Sequence, residues 1–128
     1  MILYTATIGI APISKKNHQR IMYSPKTDKR WIAPSTQYER YERDALRLLP
    51  KAAQPISTTV NVKLIFFMPT RRRVDLVNLI EAANDILVRR GVLLDDHSGI
   101  IVSHDGSRVR YDRDRPRTEI EIAEVNAE

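Results

Sequence analysis

Cysteine is absent from the 128 residues, which excludes disulfide frameworks, thiolate zinc sites and cysteine nucleophiles. Histidine is scarce, and His18, His97 and His104 lie too far apart to form a local metal box, so any metal here must rely on carboxylates. Aromatic residues make up only 6% of the chain, which argues against a base-stacking platform for single strands. Long apolar runs are also missing. The longest, Leu64–Met68, falls far short of the roughly 18 residues that a membrane span needs. The N-terminus lacks a charged segment followed by an apolar one, so a cytoplasmic location is expected. What the chain does have is 42% hydrophobic residues, enough to build the core of a single domain over residues 1–128 and to exclude a disordered chain.

Charge is plentiful and unevenly placed. Before Asp75 there are 14 Lys and Arg against 4 Asp and Glu, a balance of +10; from Asp75 onward there are 7 against 12, a balance of −5. The basic share falls in bursts that read as loops: Lys15-Lys16 with Arg20, Lys26 with Lys29-Arg30, and Arg71-Arg72-Arg73. Such bursts suit a polyanion, because each cation that meets a phosphate releases condensed counterions. A generic solvated surface is the competing reading. With so few aromatics, a partner read by phosphate and shape fits best.

Hydropathy patterning predicts a mixed α/β (α+β) domain with a small mixed sheet and two main helices. Ile2 to Ile10 alternates as a strand until Pro12. Ile21-Met22 and Trp31-Ile32 flank Ser24–Asp28 as a hairpin with a long loop. Ser35 is a candidate N-cap for a helix from Thr36 to Leu49, in which Tyr38, Tyr41, Ala45, Leu48 and Leu49 recur at helical spacing. Val60, Val62, Leu64 and Phe66, with Ile65 and Phe67 on the opposite face, predict a well-buried strand stopped by Pro69. Leu79, Ile80, Ala83, Ile86 and Leu87 mark an amphipathic helix from Leu76 to Arg89-Arg90, with Gly91 as its stop. Strands at Gly99–His104, Arg108–Tyr111 and Thr118–Ala123 complete the chain, with Asp105-Gly106 as a tight-turn signal.

The second helix turns its apolar stripe to the sheet and leaves Asp75, Asn78, Glu81 and Asp85 along its other side. Val92-Leu93-Leu94 then delivers Asp95-Asp96 to a rim. Hard divalent cations such as Mg²⁺ take carboxylate oxygens and retain water, so clustered acids beside basic loops suit metal-assisted phosphodiester hydrolysis. Plainer roles compete at each position. Asp75 is a good N-cap, with Asn78 in the first turn, and that role is compatible with binding a metal. Asp85 with Arg89 is an i, i+4 pair. Asp95-Asp96 can be an ordinary turn, and so can His104-Asp105, since neighbours in a strand point to opposite faces. His18, beside Asn17, can be an ordinary loop histidine. Trp31, Tyr38 and Tyr41 fit core and helix packing better than base stacking.

The order of these features resembles the RusA family of Holliday junction resolvases, found mostly in phage and prophage. Met68-Pro69 precedes the arginine cluster; Asp75-Leu76 and Asn78-Leu79 follow; then come an Ala-rich helix with Asp85 and Leu87, Gly91, and Leu94-Asp95-Asp96. The similarity is strongest over Phe67 to Asp96 and extends weakly to Pro12–Asn17 and the C-terminal strands. The resemblance implies a homodimeric α/β endonuclease of DNA recombination and repair, which binds four-way junctions or other branched DNA and nicks two opposed strands with Mg²⁺. The family's first catalytic aspartate falls on Asp75, and the one ending its Asp-Asp pair falls on Asp96.

Two family positions differ. The second catalytic aspartate is Val77 here, and the essential lysine is Glu81. Val77 and Glu81 lie one helical turn apart on the same face, so the longer glutamate can return the missing carboxylate. The lysine's role then passes to an arginine of Arg71–Arg73 or is lost. The expected metal site is therefore Asp75, Glu81, Asp95 and Asp96, with Asp75, Glu81 and Asp96 catalytic, Asn78 supporting, and water as nucleophile. The expected DNA surface is Lys15, Lys16, Asn17, Arg20, Arg71, Arg72 and Arg73. The alternative is a junction-binding protein of the same fold that has lost cleavage. A chain-length argument adds that Asp75 and Asp96 meet across a two-fold dimer more readily than within one chain.

Overall fold

The computed structural model describes residues 1–16 and 20–126, so Asn17 and His18 lie outside the described residues. The elements run β1 Ile2–Ile8, β2 Arg20–Ser24, β3 Lys29–Ala33, α1 Thr36–Leu48, β4 Val60–Met68, α2 Leu76–Arg89, β5 Ile101–Ser103, β6 Arg108–Tyr111 and β7 Arg117–Glu124. The main sheet has the order β1-β7-β4-β5, with β6 also pairing β4. β7 runs antiparallel to both β1 and β4, whereas β5 and β6 run parallel to β4, which makes the sheet mixed. β2 and β3 form a separate two-stranded ribbon.

β4 is central because its sequence alternates cleanly. Val60, Val62, Leu64 and Phe66 are buried on one face, and α2 supplies Leu79, Ala82, Ala83, Ile86 and Leu87 to the same core. The other face is open rather than well buried, since Lys63, Ile65 and Phe67 there are only partly covered. Ala82 takes the buried place expected of Ile80, which is half-buried at the edge of the apolar stripe. α1 starts at Ser35, whose hydroxyl accepts from the Tyr38 backbone N–H at 3.0 Å, and buries Tyr38, Tyr41 and Ala45. Leu49 caps this helix and is buried rather than helical.

α2 ends as expected. Gly91 adopts φ +81°, a left-handed conformation that costs glycine little, and the chain folds back so that the Val92 N–H reaches the Leu87 carbonyl at 3.0 Å. Val92 and Leu93 are then buried, and Leu93 forms a parallel bridge with Ile56, just ahead of β4. Two strands are shorter than their hydropathy suggests. β1 stops at Ile8, and β5 begins only at Ile101 because the Ile100 and Ile101 N–H groups both turn back to the His97 carbonyl. The Asp105-Gly106 turn closes with the Ser107 N–H on the His104 carbonyl, yet it does not reverse the chain: β5 and β6 follow one another along the same edge of β4. Trp31 departs from expectation. It lies on the ribbon and is exposed rather than packed into the core.

Candidate active site and nucleic-acid interface

The β4–α2–β5 crossover fixes where each acid stands. β4 runs from Val60 to Met68, and the arginine loop follows at its far end. α2 then runs back, so its C-terminus returns to the level where β4 began. Asp75 caps α2 at the far end: its carboxylate accepts from the Asn78 backbone N–H at 3.2 Å, and its own carbonyl accepts from Leu79. One Asp75 oxygen thus performs the expected capping role, and the second points away from that bond on an exposed residue. Val77, in the first turn, is 69% exposed.

Asp95 and Asp96 stand at the opposite end. The Leu94 N–H donates to the Ile56 carbonyl at 2.9 Å, and the His97 carbonyl takes up Ile100 and Ile101, while Ile101 pairs with Val60 at the start of β4. These anchors hold the Asp-Asp pair beside the beginning of β4, as an exposed turn in which the Asp95 carboxylate accepts from the Asp96 N–H at 2.7 Å. α2 has 14 residues and is about 21 Å long, so Asp75 and the Asp95-Asp96 pair of one chain stand toward opposite ends of an element of that length. No three acidic or histidine side chains come close enough to hold a metal ion among the described residues. The carboxylates of a single chain therefore do not by themselves fit a divalent cation.

Glu81 and Asp85 face a different neighbour. Lys16 Nζ lies 3.2 Å from Glu81, and Lys15 Nζ lies 3.3 Å from Asp85, so these two lysines lie along the outer face of α2. Arg89 pairs with Glu42 of α1 instead of with Asp85. Arg20 is also engaged: its guanidinium donates to the Pro34 carbonyl, to Thr36 and to Glu39, tying the base of the ribbon to the start of α1. His104 is held on both ring nitrogens. Its Nδ1–H donates to the Val62 carbonyl at 2.8 Å, which leaves Nε2 to accept from Asn84 at 3.2 Å, and the ring is a tie between β4 and α2.

The arginine loop sits where β4 and β6 both end. Arg71 stacks 4.3 Å from the centre of the Tyr111 ring, and the Asp112 N–H donates to the Met68 carbonyl. This register brings in two cations that sequence reasoning passed over. Arg113 and Arg115 are exposed in the turn between β6 and β7, at the same end of the sheet as Arg71–Arg73 and Asp75. They were hidden because they belong to a half of the chain that is acidic on balance; only the pairing of Met68 with Tyr111 reveals the neighbourhood. Arg117 orders that turn, donating to Asp112 and Glu119 at 2.8 and 2.9 Å and lying over the Phe67 ring. The Arg117 guanidinium holds the Asp112 carboxyl below the usual carboxylate range.

No helix among the described residues is long and apolar enough to cross a membrane. No curated protein matches the chain. A model of the family described as endodeoxyribonuclease RusA matches residues 10–123, which takes in the basic loop, the ribbon, both helices and every acid discussed above. With nearly its whole length matched, the chain belongs to the RusA family of endodeoxyribonucleases.

Proposed function

We propose that the protein is a Mg²⁺-dependent, structure-selective endonuclease that resolves four-way junctions and other branched DNA by paired nicking, in recombination and repair. The observation that carries this reading is the exposed Asp75 carboxylate, placed beside the exposed Arg71–Arg73 loop at one end of the sheet. An acid that can approach a metal and a cluster that can hold phosphates belong together in phosphodiester hydrolysis. Mg²⁺ would neutralise charge at the scissile phosphate and activate water. Arg71–Arg73, with Lys15, Lys16, Asn17 and Arg20, would contact the DNA backbone.

The separation of the acids supports a homodimer with shared sites. In a two-fold pair with antiparallel α2 helices, Asp75 of one subunit meets Asp95 and Asp96 of the partner subunit. Two exposed apolar side chains favour that pairing. Val77 lies two residues beyond Asp75, Leu94 lies immediately before the Asp-Asp pair, and the same antiparallel packing would cover each with the other. Asp75, Glu81, Asp95 and Asp96 would then surround the metal, Asn78 would support Asp75, and Asp75, Glu81 and Asp96 would be catalytic. Two symmetric sites suit paired nicking of a symmetric junction.

The decisive experiment incubates a synthetic four-way junction with the protein, with Mg²⁺ and with chelator. Paired nicks that require the metal support the proposal. A gel shift with no nicking under any divalent metal would overturn it in favour of a junction-binding protein that has lost cleavage, the reading suggested by Val77 and Glu81.

A further inference from the structure

The β2–β3 ribbon is built unlike the rest of the molecule. Its register sets Ile21 opposite Ile32 and Tyr23 opposite Arg30 on one face, and Met22 opposite Trp31 on the other. Large side chains are open to solvent on both faces: Ile21 is 76% exposed, Ile32 67%, Tyr23 50% and Trp31 48%. Each strand has five residues, so the ribbon extends about 17 Å beyond its base. That base is fastened by Arg20 to Pro34, Thr36 and Glu39. The tip is ordered too: the Tyr23 hydroxyl donates to Asp28 at 3.0 Å, Asp28 takes φ +52°, and Arg30 lies 5.6 Å from the centre of the Tyr23 ring. Around the tip, Lys26, Lys29 and Arg30 stand against the single acid Asp28.

A ribbon that docks on a protein surface covers one of its faces and leaves the other polar. Here both faces carry exposed large apolar side chains, and the end is basic. Base-pair planes on either side, with phosphates around the tip, match that distribution. Apolar side chains are known to wedge between base steps, and a two-stranded ribbon has the width to enter DNA. A branch point is the place in duplex DNA where such planes already lie open, so insertion there costs less unstacking than in a continuous helix.

We propose that the β2–β3 ribbon is a wedge that enters the branch point of junction DNA, where base pairs cover Ile21, Tyr23 and Ile32 on one face and Trp31 on the other. This rests on the branched-DNA reading above and adds the element that distinguishes a junction from linear duplex. Electrostatic contacts alone bind both; the wedge supplies the difference.

Trp31 is the only tryptophan in the chain and is therefore a built-in reporter. Acrylamide quenching of its fluorescence is measured for the full chain alone, with linear duplex and with a synthetic four-way junction, all without divalent metal so that the DNA stays intact. Protection by the junction but not by the duplex is expected. The triple variant I21S/Y23S/I32S should lose on the order of tenfold or more in junction affinity, as for a lost stacking contact, while its duplex affinity holds. Equal quenching of Trp31 with and without junction would overturn the wedge. So would a variant that still binds the junction as wild type does, and so would a wild-type dimer that the variant turns into a monomer, since the ribbon would then be a subunit contact. Failure of the wild-type protein to prefer a junction over duplex would instead defeat the branched-DNA reading on which the wedge depends.

Discussion

Mixing two inactive variants tests the shared site directly. Asp75→Asn removes the charge facing the metal but keeps the cap, because asparagine accepts from the Asn78 N–H about as well as aspartate does. The alanine variant would be a poor choice, since losing the cap costs about 1 kcal/mol and confuses stability with chemistry. Asp96→Asn changes an exposed turn and should alter stability by less than about 0.5 kcal/mol. Each variant alone spoils both sites of a symmetric dimer. After subunit exchange at equal concentration, about half of the dimers are mixed, and each mixed dimer with shared sites holds one site with both changes and one intact site. Nicking should therefore recover to about one quarter of the wild-type rate, and it should be single-strand nicking with no paired resolution. If each site is instead built within one chain, despite the roughly 21 Å set by α2, every mixed dimer carries a defect in both sites. No recovery, with exchange confirmed by mass spectrometry of differently tagged subunits, refutes the shared site, and so does a wild-type protein that sediments as a monomer.

Three further outcomes are expected. Replacing Arg71, Arg72 and Arg73 with alanine should weaken junction binding and lower the slope of log affinity against log salt by about one unit per lost phosphate contact; an unchanged slope removes that loop from the DNA surface. Glu81→Gln should slow nicking about a hundredfold or more, and Val77→Asp with Glu81→Lys should restore it in the family's commoner arrangement. The Glu81–Lys16 pair is half-exposed and contributes only about 0–1 kcal/mol, so unchanged thermal unfolding together with a wild-type nicking rate in Glu81→Gln would show that Glu81 does not replace the missing acid. Burial pushes the Tyr41 hydroxyl up to about 12, and burial with the nearby Glu42 charge raises Tyr38 further, so both stay protonated in the fold when they would already ionise in the unfolded chain. Their contribution is complete below about pH 10 and declines by about 1.4 kcal/mol per pH unit for each tyrosine above it, until the folded group itself ionises; denaturant midpoints that stay flat from pH 9 to about 11.5 would contradict this.

Much of this fold was legible because local and tertiary signals agree. Ser35 and Asp75 are caps in the sequence and in the structure, Gly91 stops α2 by the left-handed turn that its residue type permits, and β4 alternates because one face meets the core. The partner of each charge was not legible, because it depends on long-range packing. Local spacing pairs Asp85 with Arg89, yet Lys15 arrives from 70 residues away to take Asp85, and Glu42 takes Arg89. Trp31 shows the converse limit: a large apolar side chain suggests a core, but a ribbon outside the main sheet has no core to offer it. For the candidate site, the acids and the separation of Asp75 from Asp96 were both legible, because 14 of the 20 residues between them form a helix whose periodicity and length can be read locally, whereas the lysines that meet Glu81 and Asp85 could not.

The division of charge along the sequence also takes on a different meaning once the chain is folded. The balance of +10 before Asp75, carried in bursts, is in part neutralised internally: Lys15, Lys16 and Arg20 meet Asp85, Glu81 and Glu39, and Lys63 meets Glu121. Arg71, Arg72, Arg73, Lys26, Lys29 and Arg30 enter no ion pair among the described residues. These six stand at two places, the end of β4 and the tip of the ribbon, while Arg40, Arg43 and Arg47, which likewise enter no ion pair among the described residues, lie on α1. The paired lysines have a separate use. Exposed pairs of this kind are weak, so Lys15 and Lys16 can exchange Asp85 and Glu81 for phosphate oxygens at a cost of at most about 1 kcal/mol each. Such an exchange would release the α2 carboxylates as the DNA backbone arrives, coupling substrate binding to exposure of the acids that are proposed to act on it.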